Sequence, residues 1–122
     1  MSEINKSVCM FENIRRYGLA IIDDKITTGE LKCLFDELVG YRRFFEEYVG
    51  EQSIEFKLTN AMLVLSRVLK QTGDDSSIKH WINKNPLYSE WYSRISKLLD
   101  QPEWKYHYGR RELTKDKLRA LN

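Results

Sequence analysis

The chain of 122 residues is the size of one domain, and its 42% hydrophobic and 31% charged residues are typical of a folded globular protein. This balance excludes intrinsic disorder, and two prolines with six glycines are too few for the many turns of an all-β chain. A net charge of +2 is too small to draw the whole molecule to nucleic acid.

The first predicted helix runs from Ser7, which can cap it, to about Asp23. Its apolar residues recur at the spacing of one helical face: Met10, Ile14, Tyr17 and Ile21. Residues 1–6 lack such a stripe, and we expect them to be flexible.

The second helix begins with a capping box, in which Thr27 and Glu30 each accept a backbone hydrogen bond from the other. We expect it to continue to Gly50, since apolar residues mark one face throughout: Leu31, Leu34, Phe35, Leu38, Phe45 and Val49. A third helix begins at Ser53 and carries a wider apolar stripe, which predicts the most buried helix of the protein. Gly73 is placed to end it in a left-handed conformation.

A short helix over residues 78–83 is predicted to stop before Pro86, with Asn85 as the cap of the helix that follows. That helix runs to Asp100, and its predicted core-facing residues are Tyr88, Trp91, Ile95, Leu98 and Leu99. Residues 101–112 are predicted to form an extended connection to a short last helix over 114–121. The sequence therefore predicts an all-α fold, a compact single-domain bundle of five or six helices over residues 1–122 with a short extended aromatic segment near the C-terminus.

Few residues are spaced as an active site requires. His80 and His107 have no other ligand at zinc spacing, and the six glycines are isolated and form no phosphate-binding loop. Cys9 and Cys33 lie at apolar positions of helical patterns, where a buried thiol is inert. We therefore predict no catalytic residue, no metal site and no cofactor, and expect that the protein is not an enzyme.

The location of the protein is predicted from its cysteines and its apolar segments. The opening MSEINKS lacks the basic start and long apolar run of a secretory signal, and the apolar stretch AMLVL is too short to cross a bilayer. Two cysteines do not form a disulfide framework. These features predict a cytoplasmic protein with no contact to a membrane.

The aromatic-basic segment QPEWKYHYGRREL allows two interpretations. In an extended chain its three rings, at positions 104, 106 and 108, share one face, which favours packing against the helices over base stacking. Arg110 and Arg111 are not explained by packing of the rings. They are candidates for binding an acidic protein partner or a phosphate, or for pairing with Glu112 and the DDS turn at residues 74–76. The alternative is a nucleic-acid interface formed by Lys105, His107, Arg110, Arg111 and Lys115.

A second candidate region is HWINKNPLYSEWY, which concentrates tryptophan and tyrosine, the residue types that dominate protein interfaces. Trp81 and Tyr92 fall off the predicted buried stripe, and we expect them to be partly exposed and available to a partner. If that partner has a basic cleft, we expect Glu46 and Glu47 to face it.

These observations favour a non-catalytic protein-binding module that regulates or neutralises a protein partner such as a toxin or an enzyme. Small bacterial immunity proteins, antitoxins and phage-encoded inhibitors share this size and class, although no motif in the chain identifies such a family. Nucleic-acid binding through the basic C-terminal segment is the alternative, and a small enzyme is the third hypothesis.

Overall fold

A computed structural model describes residues 3–73 and 75–102. Six α helices follow one another in this part of the chain: α1 (Glu3–Ile22), α2 (Thr28–Cys33), α3 (Phe35–Tyr48), α4 (Ile54–Leu69), α5 (Ile78–Lys84) and α6 (Ser89–Leu99). A 3-10 turn over Pro86–Tyr88 joins α5 to α6. The predicted all-α class is confirmed. The extended segment and the last helix predicted beyond residue 102 lie outside the described residues.

The central element is α4, which packs against α1, α2, α3 and α6. Its buried residues extend around most of its circumference: Glu55, Leu58, Thr59, Ala61, Met62, Leu63, Leu65, Ser66 and Leu69. A helix surrounded on this scale can be apolar on nearly every face. The prediction that the third apolar stripe forms the most buried helix is therefore confirmed.

Three helix starts follow the sequence signals. Thr27 accepts a hydrogen bond from the Glu30 amide at 3.1 Å, and the Glu30 carboxylate accepts one from the Thr27 amide at 3.1 Å, which completes the capping box. Ser53 and Ser77 cap α4 and α5 by accepting from the amides of Phe56 and His80, each at 3.1 Å. These bonds satisfy amides that have no partner within their own helix.

Helix ends agree less well with the sequence. The helix α1 begins at Glu3, ahead of Ser7, so residues 3–6, expected to be flexible, belong to it. Asp24 ends it at φ 57, a left-handed conformation stabilised by the Lys25 amide, which donates to the Ala20 carbonyl at 2.8 Å. The left-handed conformation predicted for Gly73 is wrong: α4 already ends at Leu69, and the Thr72 hydroxyl donates to the Leu69 carbonyl at 3.0 Å.

The predicted long second helix is interrupted at Leu34, which separates α2 from α3. The carbonyl of Leu31 accepts two hydrogen bonds there, from the Leu34 amide at 3.1 Å and from the buried Ser66 hydroxyl of α4 at 2.9 Å. A side chain that inserts into the backbone ladder bends or breaks a helix. The break allows both segments to pack against α4.

The connection before α2 pairs with the connection before α5, and we call this region the α2–α5 junction (Thr27–Gly29 with Asp75–Ser77). The Thr28 amide donates to the Ser76 carbonyl at 2.9 Å, and the Ser76 amide donates to the Thr28 hydroxyl at 3.0 Å. The Gly29 amide donates to the Asp75 carboxylate at 3.2 Å. The junction thereby fixes α5, and the turn that follows it, against the body of the bundle.

Candidate protein-binding surface on the sixth helix

The rotation of α6 about its axis is set by contacts on its inner side. Ile95 is fully buried, and the Tyr92 hydroxyl donates to the Ile22 carbonyl of α1 at 3.1 Å. Leu99 packs over Gly18, where an added Cβ would lie 3.2 Å from the Leu99 Cδ1 atom. These contacts leave a neighbouring outward row at the edge of the core, in which Leu87 and Arg94 are exposed and Trp91 and Leu98 are partly buried.

That outward row begins with Leu87, whose 78% exposure is the largest among the exposed large hydrophobic residues. The residue lies in the 3-10 turn that Pro86 begins, and the ring of Tyr88 stacks on Trp81 at 5.2 Å between centroids. The Ser89 hydroxyl donates to the Pro86 carbonyl at 2.7 Å. A proline, a ring stack and a side-chain bond therefore hold an exposed leucine in place, so its position is not that of a loose loop.

Trp91 and Arg94 continue the row along α6. The Arg94 guanidinium lies 4.3 Å from the centroid of the half-buried Trp91 ring, in cation–π geometry. Its Nη2 atom also contacts a Glu90 carboxylate oxygen at 3.3 Å, and the arginine side chain is 46% exposed. The stack presents the edge of an aromatic ring and a charged group on one surface.

Leu98 completes the row, which we name the α6 outer face (Leu87, Trp91, Arg94 and Leu98). Beyond it lies a groove of about 370 Å³ between α4 and α6, lined by Phe56, Lys57, Asn60, Arg94 and Leu98. Two of these five residues are apolar, two carry positive charge, and none is acidic. The α6 outer face and the groove share Arg94 and Leu98 and therefore form one continuous surface.

The expectation that Trp81 is partly exposed is wrong. Its side chain is 4% exposed, because its ring is packed into the core and covered by Tyr88. Tyr92 is half-buried, and burial, followed by the charges of Asp24 and Asp23, raises the pKa of its phenol. Buried Trp81 offers no surface to a partner. Trp91, which the sequence assigned to the core, does pack against it, although its ring is less completely buried than that of Trp81.

The predicted acids lie on a different helix. Glu46 and Glu47 are exposed near the end of α3, beside Tyr48, which is 44% exposed and lies 4.9 Å from Phe44 between ring centroids. Glu51, just after this helix, is exposed as well. The structure thus brings these acids together with an exposed ring, on α3 and not on the α6 outer face.

The remaining predicted site residues lie outside the described residues: Lys105, His107, Arg110, Arg111 and Lys115. Both interpretations of the aromatic-basic segment, a packed arm and a nucleic-acid interface, stay predictions from the sequence.

A cluster of two tyrosines and one carboxylate lies between α1 and α3. Both the Tyr17 and the Tyr41 hydroxyls donate to the Glu37 carboxylate, and the Asn13 amide donates to the Tyr41 hydroxyl at 3.1 Å. Burial, reinforced by Glu37, raises the pKa of Tyr17 above its ordinary value and that of Tyr41 to about 12. Phenols with raised pKa values stay protonated near neutral pH, so the cluster links two helices by hydrogen bonds.

Other reactive groups are dispersed. Cys33, predicted to be buried, is a free and exposed thiol at the end of α2, since it follows buried Leu31 by two residues and so lies on the opposite side of that helix. The side chain of Cys9 lies outside the part that the structure describes. Within residues 3–73 and 75–102, no group of three or more potential metal ligands comes together. Across the same ranges, every helix is too short or too polar for a bilayer crossing.

Comparisons with protein-family models, with curated proteins and with solved structures find no match to this chain. Its function is therefore argued from the α6 outer face and the groove beside it.

Sequence reasoning missed this surface, although a signal was present. Leu87, Trp91, Arg94 and Leu98 recur at helical spacing, one position ahead of a second row that contains Tyr88, Tyr92, Ile95 and Leu99. Because both adjacent rows contain apolar residues, the sequence does not show which row is turned more towards the core.

Proposed function

We propose that the protein is a non-catalytic protein-binding module that regulates or neutralises a partner protein through the α6 outer face. The observation that carries this proposal is Leu87, 78% exposed on a turn held by Pro86 and by the stack of Tyr88 on Trp81. Because the backbone of this turn is already fixed, a partner that covers Leu87 does not have to order the turn, so more of the burial energy becomes available for binding.

The residues beside Leu87 are of the types that carry binding energy. Tryptophan and arginine are enriched among residues whose truncation costs most at interfaces, and Trp91 and Arg94 stack on each other here. Complete burial of a leucine side chain contributes about 1.5–3 kcal/mol. The surface thus has an apolar anchor, an aromatic ring and a charged group within three turns of α6.

A non-catalytic role is supported by the chemistry of this surface. Its polar groups are the charged side chains of Lys57, Glu90 and Arg94 and the amide of Asn60. These groups bind charges and donate or accept hydrogen bonds, whereas acyl or phosphoryl transfer requires an activated nucleophile beside a base.

For the partner we propose a toxin or an enzyme in the cytoplasm. The size and class of the chain fit an immunity protein, antitoxin or inhibitor, and the free thiol of Cys33 suits a reducing compartment. Glu46 and Glu47 offer such a partner a second contact if its surface is basic.

Copurification tests the proposal, with the full chain tagged and expressed in the cells that encode it. We expect a stoichiometric protein to copurify with the wild-type chain and to be lost with Leu87→Asp. Gln71→Asp is the control, since it makes the same change in net charge at an exposed position after the end of α4, outside both proposed contact surfaces. Absence of a stoichiometric partner, or its retention by Leu87→Asp, would contradict the proposal. Equal melting temperatures for the wild-type protein and the two variants would show that all three are folded.

The sequence-based alternative is tested separately by titrating single-stranded RNA and duplex DNA over a salt series. Tight binding that weakens steeply with salt and is abolished by Arg110→Ala with Arg111→Ala would favour a nucleic-acid-binding protein instead.

A further inference from the structure

We infer that the groove between α4 and α6, together with the α6 outer face, binds an acidic amphipathic helix of the partner. This inference rests on the proposed function and specifies the part of the partner that is recognised.

The shape of the surface suits a helix. Leu87, Trp91, Arg94 and Leu98 follow one another at positions i, i+4, i+7 and i+11, and the three that lie in α6 span about 10 Å at the rise of an α-helix. Phe56 of α4 lines the opposite wall of the groove. The row on one wall and the Phe56 ring on the other suit the apolar face of a third helix, whose anchors also recur every three to four residues.

The charge of the surface selects an acidic ligand. Lys57 is exposed and, within the described residues, makes no ion pair. Arg94 has one carboxylate contact, from Glu90 through Nη2, which leaves its other donors available. The groove lining includes no acid that would neutralise these two cations. Carboxylates on the flank of a bound helix would form ion pairs with both Lys57 and Arg94.

Arg42 adds a third cation behind Asn60. Its Nη1 atom donates to the Asn60 side-chain oxygen at 3.5 Å, a long hydrogen bond, and Asn60 lines the groove. Its Nε atom is buried and has no acceptor among the described residues. A buried donor without an acceptor is unfavourable, and its positive charge raises the potential of the groove wall.

The same charges disfavour two other occupants. The stretch from Pro102 to Asn122 contains six lysines or arginines against three acids, so the chain's own C-terminal segment has the wrong sign for this groove. A second copy that presented the same face would bring its own Lys57 and Arg94 towards those of the first. An acidic segment of a different protein satisfies both the apolar row and the cations.

Peptide display on the intact chain tests this inference. The library consists of helical 16-residue peptides with apolar residues every three to four positions. The flanking positions are randomised among acidic, neutral and basic residues, and binders are selected on the wild-type protein. We expect acidic peptides to be enriched, with affinity that falls as salt rises. The variant Lys57→Glu with Arg94→Gln should lower their affinity at least tenfold.

The matched control is Lys25→Glu with Arg43→Gln, which makes the same change in net charge at two exposed cations on other elements. It should leave peptide affinity within about twofold of wild type. Equal loss in both variants would show a nonspecific charge effect and overturn the inference.

Enrichment of basic or neutral peptides, or no enrichment at all, would also overturn it. So would self-association of the wild-type protein through this face, seen by sedimentation and lost with Leu87→Asp, or RNA binding lost with Lys57→Glu and Arg94→Gln. If a partner copurifies, is lost with Leu87→Asp and is retained by Lys57→Glu with Arg94→Gln, the inference fails while the proposed function stands. If no partner copurifies, the proposed function fails.

Discussion

The α2–α5 junction and the α6 outer face use their side chains in opposite ways. At the junction, Thr28 is fully buried and its hydroxyl accepts from the Ser76 amide, while Asp75 accepts from Gly29. On the α6 outer face, Leu87 is 78% exposed and Arg94 has a single carboxylate contact, from its own helix. The junction uses its polar groups to join two parts of the chain, whereas the outer face leaves Leu87 and Arg94 exposed to solvent.

The two tryptophans near these regions show the same difference. Trp81 belongs to α5, which the junction holds in place, and its ring is 4% exposed. Trp91 of α6 is half-buried and is covered on its outer side by Arg94. Both are indole rings on neighbouring helices, so tertiary packing and not residue type sets how far each ring is buried.

The largest expected effect is at Trp81. We expect Trp81→Ala to lower the free energy of unfolding by about 3–5 kcal/mol, because it removes a buried ring and leaves a cavity. Trp91→Ala should cost less, about 1–2 kcal/mol, since this ring lies at the edge of the core and is only partly buried. Urea unfolding of both variants measures the difference, and equal losses would remove the distinction between the two tryptophans.

A smaller effect is expected for the buried hydroxyl of the junction. Thr28→Val keeps the side-chain shape but leaves the Ser76 amide without its acceptor, which should cost about 1–3 kcal/mol. The control is Thr59→Val, equally buried, whose hydroxyl donates to the Glu55 carbonyl within α4 at 2.7 Å. We expect that variant to stay within about 0.5 kcal/mol of wild type. Comparable losses would show that the junction has no special role in stability.

The smallest effect on stability is expected where the effect on binding is largest. Leu87→Asp should change the free energy of unfolding by less than about 0.5 kcal/mol, since the side chain lies mostly in water. Thermal and urea unfolding of the purified variant check this. A loss of several kcal/mol would instead assign Leu87 to the fold and would weaken its use as a binding residue.

Much of the helical framework was predictable because its signals are local. The caps at Thr27, Ser53 and Ser77 each involve an amide three residues away, so the spacing in the sequence suffices to identify them. The apolar stripe of α4 likewise predicted its burial. The break at Leu34 carries no such signal, because the Ser66 hydroxyl that occupies the Leu31 carbonyl comes from another helix.

The candidate site was predictable only in its residue types. The sequence pointed to the region from His80 to Tyr92 as rich in interface residues, and Trp91 lies within it. It wrongly placed Trp81 at the surface, and it could not show the orientation of α6, which depends on the bond from Tyr92 to α1 and on the fit of Leu99 over Gly18. Both contacts join residues distant in sequence.

The sequence by itself determined that the protein is helical, where three of its helices begin and which helix is most buried. Those properties follow from hydrogen bonds and apolar spacing within a few residues of the chain. Only the tertiary structure decided that one predicted helix is two, that Trp81 is covered, and that Leu87 is exposed while Trp91 is partly buried. The reason is that each of these outcomes depends on packing between separate helices, where the fit of side chains outweighs local preference.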